Sequence, residues 1–308
     1  MMRYLCKLYK PNLLLKRSLG KDTSTTGDTL QYCANIVRQY DYENYLATLL
    51  MTKPVRSPAF VIRAFNAEVS RIQDQASDPQ IAAMRHQFWQ DTLTSMYKSE
   101  QHISKIPANP VAKEMFKVCV HYNLPKRYLE RLVVSRRHML TKKYYNTLEE
   151  LENYVENSVS SIYYLLLCIF GVSNVHADHT ASHLGKAQGI TNILRSVQIA
   201  SHHKSVYLPL DILMKHNVSQ ESVLRCLDNA SMRDVVFEIA SRANSHLEKA
   251  RSIEVPKTTK QVFLPAVTVS YYLKKLQKTN FNIFDKSLHN SSVILPLSLY
   301  CNRVINNF

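Results

Sequence analysis

Residues 185–200 read GKAQGITNILRSVQIA, and the fold turns on how that stretch is read. It lies inside a segment, 178–200, that reads as one helix. Gly185 and Gly189 stand four residues apart, so they share a face about one turn from each other and let a second helix come close. Gln188 and Asn192 carry amides suited to buried polar bonds. Arg195 suits either an acid on a neighbouring helix or a phosphate, because a guanidinium grips both. No Asp or Glu occurs anywhere in the stretch.

Upstream, Thr147 followed by Glu150 forms a capping box for TLEELENYVENSVSSIYYLLLCIF, and Gly171 beyond it can take the left-handed conformation that ends a helix. That helix reads as central and nearly all buried. Ser57-Pro58, Asp78-Pro79 and Asn109-Pro110 mark three further starts, since a proline in the first turn gives up no hydrogen bond. The first two open SPAFVIRAFNAEVSRIQDQAS and DPQIAAMRHQFWQDTLTSMYKS, each with apolar residues at three- and four-residue spacing. Further helices are predicted over about 29–52, 125–143, 219–228, 231–250, 263–278 and 292–306. No alternating strand pattern occurs, and five glycines in 308 residues are too few for a glycine-rich nucleotide loop or a turn-dense sandwich. The expectation is all-α, one helical domain of roughly ten helices over residues 29–308.

The charge of +15 is unevenly placed. Arg3, Lys7, Lys10, Lys16, Arg17 and Lys21 come with no acid among the first 21 residues, and hydroxyl residues follow at 23–26. Residues 1–28 therefore read as a mitochondrial targeting segment. The remaining +9 is dispersed and accompanied by no nucleic-acid motif, which argues against nucleic acid and for peripheral contact with an anionic membrane. Tyrosine, at 18 residues, suits such an interface. The longest apolar run, YYLLLCIFGV at 163–172, is shorter than the roughly 18 residues that cross a bilayer. The cysteines, at 6, 33, 119, 168, 226 and 301, show neither a metal nor a disulfide spacing and read as reduced, mostly buried thiols.

Taken together, YVENSVSSIYYLLLCIFG, HLGKAQGITNILRSV and KSVYLPLDIL resemble the later motifs of the squalene/phytoene synthase family, over most of residues 29–308. The resemblance implies the all-α isoprenoid-synthase fold. RAFNAE at 63–68, MRHQFW at 84–89, ELENYVENSVSS at 150–161 and HADHTASHLGKAQGI at 176–190 are similar to one branch of that family, whose members help build respiratory complex I. That likeness implies a mitochondrial protein on the matrix side of the inner membrane, with complex I subunits or assembly intermediates as partners, and no cofactor.

Active members of the family ionise a prenyl diphosphate with Mg²⁺ held by two DxxxD motifs, whose acids share a helical face at i and i+4. Against that pattern, the second motif here falls on Ser196 and Ala200, with Ile199 at the adjacent acid. The first falls near Ser70, Arg71 and Asp74, one acid of three, with Glu68 at a position that does not ligate. SRRHML at 135–140 adds no carboxylate. The expectation is a catalytically degenerate member with no catalytic residues and no metal. Glu68, Asp74, Lys186, Gln188, Asn192, Arg195 and Tyr207 are the candidate lining of its vestigial pocket. The alternatives are a residual prenyl-diphosphate transferase and a non-catalytic binder of isoprenoid or lipid diphosphates.

His176, His179 and His183 would share a face of one helix, as a zinc site might, but a helix start at Asp178 would break that alignment for His176. His202 and His203 read as a solvated turn. No GxSxG elbow supports a hydrolase. Trp89 and Phe88 read as core anchors.

Overall fold

The computed structural model describes residues 25–76, 78–98, 106–142, 144–202, 204–290 and 292–308. Among them are fifteen α-helices and no strand. The count exceeds ten because several predicted helices divide and because short helices of four to six residues occupy connections. α1 (Thr25–Tyr40) and α2 (Tyr42–Leu49) divide the predicted 29–52 at Asp41. α3 (Lys53–Ser70) is followed by the short α4 (Ile72–Gln75) and by α5 (Pro79–Met96). α6 (Pro110–Tyr122) and α7 (Lys126–His138) come next. α1 begins inside the stretch assigned to targeting, and residues 1–24 of that stretch lie outside the described residues.

Two of the three proline starts form as expected. Asp78 accepts from the backbone N–H of Gln80 at 2.7 Å, and Asn109 from that of Ala112 at 2.9 Å. Ser57-Pro58 is not a start. α3 begins one turn earlier, with Pro54 in its first turn and Pro58 in its interior. An interior proline strips the carbonyl four residues back of its helical partner. The Tyr122 hydroxyl lies 3.4 Å from that Pro54 carbonyl and donates to it.

α8 (Leu148–Val155) and α9 (Ser161–Ile169) form the predicted central helix, and Gly171 follows at φ +65°. Thr147 caps the backbone N–H of Glu150 at 3.2 Å, and the Glu150 carboxylate reaches back to that of Asn146 at 2.8 Å. Between α8 and α9 the chain makes a π turn, Glu156–Ser160, that no periodicity announced. Such a turn adds a residue to the helical circuit and shifts which side chains face inward.

α10 (Val175–His202) is the axis of the molecule, about 42 Å long at 1.5 Å per residue. Its start is Val175, three residues before the expected one, because the Asn174 side chain accepts from the backbone N–H of Ala177 at 3.0 Å. α10 packs along α13 (Ala230–Ser252) and against the π turn. Gly185 and Gly189 make the second contact possible. A Cβ on Gly185 would lie 2.1 Å from Ser160 Oγ, and one on Gly189 would lie 2.3 Å from Val155 Cβ. α11 (Leu210–Lys215) and α12 (Gln220–Leu224) connect α10 to α13, and α14 (Pro265–Lys278) and α15 (Ile294–Val304) complete the set.

Trp89 anchors the core as expected, edge-on to Phe65 at 5.0 Å between ring centres. Phe88 does not: it is exposed on the outer side of α5, because adjacent helical positions point about 100° apart. The described cysteines are free, with Cys33 and Cys119 buried, Cys168 and Cys226 half-buried and Cys301 exposed. Burial pushes the Cys33 thiol up to about 12.

Candidate functional site

A cavity of about 1040 Å³, part of it open to solvent, lies between α3, the α8–π–α9 helix and α10. α3 contributes Arg63, Asn66, Val69 and Ser70. The π turn and its flanks contribute Val155, Ser158, Val159, Ile162 and Tyr163, and α10 contributes Gln188, Gly189, Asn192 and Ile193. Asp41 and Asn44 line it at the junction of α1 and α2, and Gln73, His86, Arg136, Met139, Tyr145, Tyr154 and Tyr207 complete the wall. Gly189, having no side chain, is itself part of the surface.

A polar relay crosses the floor. The Tyr163 hydroxyl donates to Gln188 Oε1 at 2.6 Å, Gln188 Nε2 to Asn44 Oδ1 at 3.4 Å, and Asn44 Nδ2 to Asp41 Oδ1 at 2.8 Å. Burial raises the Asp41 carboxyl above its ordinary range, opposed by Arg63 and by the Asn44 bond. Arg63 is 1% exposed, and its Nε and Nη2 meet no protein acceptor. Burial lowers its guanidinium, opposed by Asp41 and Tyr163. Two unmatched nitrogens on a buried guanidinium are rare, and a water or an anion oxygen would satisfy them. Arg136 is committed instead: it donates to Leu132 O at 2.7 Å, Asn66 Oδ1 at 2.6 Å and Ser158 O at 3.2 Å. His86 is held down to about 4 by burial and by Arg136 and Arg137, which makes it a neutral imidazole at pH 7. Asp41 is the one carboxylate among the lining residues.

Of the residues singled out from the sequence, Gln188, Asn192 and Tyr207 line this cavity, the last with Gln73 Nε2 at 3.5 Å from its hydroxyl. Glu68, Asp74, Lys186 and Arg195 are not among its lining. Arg195 is bound to Glu43 through two hydrogen bonds of 2.8 and 3.0 Å, and its guanidinium lies 5.3 Å from the Tyr272 ring centre. Glu68 is half-buried, and burial raises its carboxyl against the pull of Arg71 and Arg85. Arg71, at an expected acid position, turns away from the cavity to stack 3.2 Å over the Tyr40 ring. Ser196 is fully buried and donates to Ile193 O at 2.8 Å, while Ile199 and Ala200 pack into the interior.

The three histidines of α10 do share one helix, contrary to the expected break at Asp178. His176 and His179 are exposed, and His183 pairs with His246, Nδ1 to Nδ1 at 2.9 Å. Among the described residues no three His, Cys, Asp or Glu side chains converge as metal ligands would. The residues missed from the sequence include Asp41, Asn44, Arg63, Asn66 and Tyr163. Arg63 carried a signal, a charge placed beside Ile62 and Phe65 in a helix otherwise buried on that side.

Helices of this order around a cavity walled by the segments before and after the π turn define a class. The chain belongs to the squalene/phytoene synthase family, whose model matches residues 37–294. It is 43% identical over 274 residues to "NADH dehydrogenase (ubiquinone) complex I, assembly factor 6" of Bos taurus, covering 88% of this chain and 81% of that one. It is 38% identical over 303 residues to the Drosophila melanogaster homolog of that factor, covering 97% and 90%. Among solved structures, the squalene synthase HpnC of Alicyclobacillus acidocaldarius superposes with a TM-score of 0.72 at 18% identity, over 83% of this chain and 95% of that one. That likeness establishes the fold.

Proposed function

We propose that this chain is an assembly factor for mitochondrial respiratory complex I that has kept the synthase fold and lost its chemistry. The observation that carries the reading is the 43% identity, spread over 88% of the chain, to relatives named as complex I assembly factors. Residues 1–28 direct it to mitochondria, where it works peripherally on the matrix side of the inner membrane. No helix among the described residues is long and apolar enough to cross a membrane, in keeping with a peripheral attachment. Its partners are complex I subunits or assembly intermediates.

The cavity supports the loss of chemistry. Mg²⁺ prefers hard oxygen ligands in octahedral array, and the lining offers one carboxylate among amides, tyrosines and guanidinium groups. That donor set does not fit a cluster of Mg²⁺ ions. Ionising a diphosphate without them forfeits the charge neutralisation on which the family's reaction depends.

A second reading is favoured by Arg63 alone: a non-catalytic pocket that holds an isoprenoid or lipid diphosphate. Its unmatched nitrogens would take a phosphate oxygen without any metal. The two readings are compatible, since ligand occupancy could set the stability of the factor.

Depletion followed by native separation of respiratory complexes tests the assembly role. Assembled complex I should fall while other complexes persist, and re-expression of the full chain should restore it. Equal loss of every complex would point instead to a general lipid or translation defect.

A further inference from the structure

α15 is apolar on both sides. Leu295 and Leu299 face inward and pack with Ala47, Leu264 and Val267. The helix is fixed there by Arg303, whose Nε donates to Leu50 O at 2.9 Å, and by Ser292, whose hydroxyl accepts from the first backbone N–H groups. The opposite side carries Val293, Ile294, Leu297, Tyr300, Val304 and Ile305, between 57% and 90% exposed. At 100° per residue these positions form one arc of about 140°, and Cys301, also exposed, falls within it. Single exposed apolar residues are ordinary, but a continuous stripe along a helix is a contact surface.

Charge identifies the occupant. From Val255 to Phe308 the chain carries seven Lys or Arg and one acid, Asp285. Lys274 and Lys278 stand exposed on α14, which packs against α15, and Lys286 is exposed in the connection between them. α15 itself holds no acid. An apolar arc with a tyrosine, on an acid-free helix beside the exposed Lys274, Lys278 and Lys286, is the pattern of a helix that lies in a membrane interface, its apolar side among acyl chains and its cations at anionic headgroups. A protein partner would not require the acids to be missing.

We infer that α15 is the surface through which this protein sits on an anionic phospholipid bilayer. The inference rests on the peripheral membrane reading above and names the surface responsible. The test is co-sedimentation of the full chain with vesicles of phosphatidylcholine, with or without about one fifth phosphatidylglycerol. Wild type and the control Met84→Asp, which alters an exposed apolar residue on α5, should bind the anionic vesicles and leave the neutral ones largely free. Leu297→Asp with Val304→Asp should bind at least tenfold more weakly. If that pair fails to fold, judged by circular dichroism, Leu297→Ser with Val304→Ser replaces it and should lose binding in the same direction.

Binding that survives both double variants overturns the assignment of α15 while leaving a peripheral protein. No binding of wild type to anionic vesicles overturns the peripheral reading and the inference together. A wild-type dimer that the double variants dissociate, with vesicle binding unchanged, would make a second copy the occupant and also overturn the proposal.

Discussion

Arg195 and Glu43 hold each other through two parallel hydrogen bonds, 2.8 and 3.0 Å, that tie α10 to α2. Both side chains are largely covered, at 23% and 29% exposed. A guanidinium engaged in this way with a carboxylate has little capacity left for a phosphate. Arg195→Lys keeps the charge and loses the fork, and Glu43→Gln leaves the cation without its partner. Each should lower stability by about 1–2 kcal/mol in urea unfolding, the cost of breaking a well-formed, partly covered pair. An unchanged midpoint in both variants would mean the pair is incidental.

The approach of α10 to the π turn gives the steepest expectation. Gly185→Ala would place its methyl 2.1 Å from Ser160 Oγ and 2.6 Å from Ser160 Cα, and a backbone atom cannot swing away. Overpacking of this kind costs about 3 kcal/mol, so thermal unfolding should begin roughly 6–10 °C lower. Gly171→Ala makes a useful contrast: nothing crowds it, and its cost comes only from φ +65°. A Gly185→Ala protein that melts with wild type would refute the close contact.

Two buried groups set different acid limits. Burial opposes ionisation of Glu152, but the hydrogen bonds from Arg242 and the approach of His246 Nε2 to 3.2 Å outweigh it and hold the carboxyl at about 2. Its folded value is below its unfolded one, so its stabilisation is complete above about pH 5 and fades as pH falls toward 2. His86, held at about 4, is neutral in the fold and takes up a proton on unfolding, so it weakens the fold as pH falls from 6.5 toward 4. Glu152→Gln should therefore flatten the stability profile below pH 5, by on the order of 2 kcal/mol, and His86→Gln should flatten it between 6.5 and 4. Urea midpoints across that range check both, and profiles parallel to wild type would contradict them.

Much of the helical scaffold was legible because its signals are local. Asp78, Asn109, Thr147 and Gly171 act within one turn of themselves, and each is found in the expected role. Ser57-Pro58 misled because an equal signal, Thr52 with Pro54, lies a turn earlier, and because the carbonyl freed by Pro58 is answered from Tyr122 on another helix. The π turn left no trace in residue spacing. Of the cavity, Gln188 and Asn192 were legible from one helix, whereas Lys186 and Arg195, expected beside them, are not among its lining. Arg63 with Asp41 was not, since that relationship joins two helices and no spacing rule links them.

Import can be tested apart from the fold. Residues 1–28 fused ahead of a reporter should send it to the mitochondrial matrix, as expected of a segment whose first 21 residues carry six Lys or Arg and no acid. A reporter that stays in the cytosol would remove the targeting assignment and leave the helical domain untouched.

The central claim is that a synthase fold here serves assembly without synthase chemistry, and diphosphate release measures it most directly. Purified full chain, incubated with Mg²⁺ and farnesyl or geranylgeranyl diphosphate, should release no diphosphate above the protein-free background. Asp74→Ala should leave that result unchanged, because Asp74 is not among the residues lining the cavity. Mg²⁺-dependent turnover of either substrate by the unmodified protein would contradict the account.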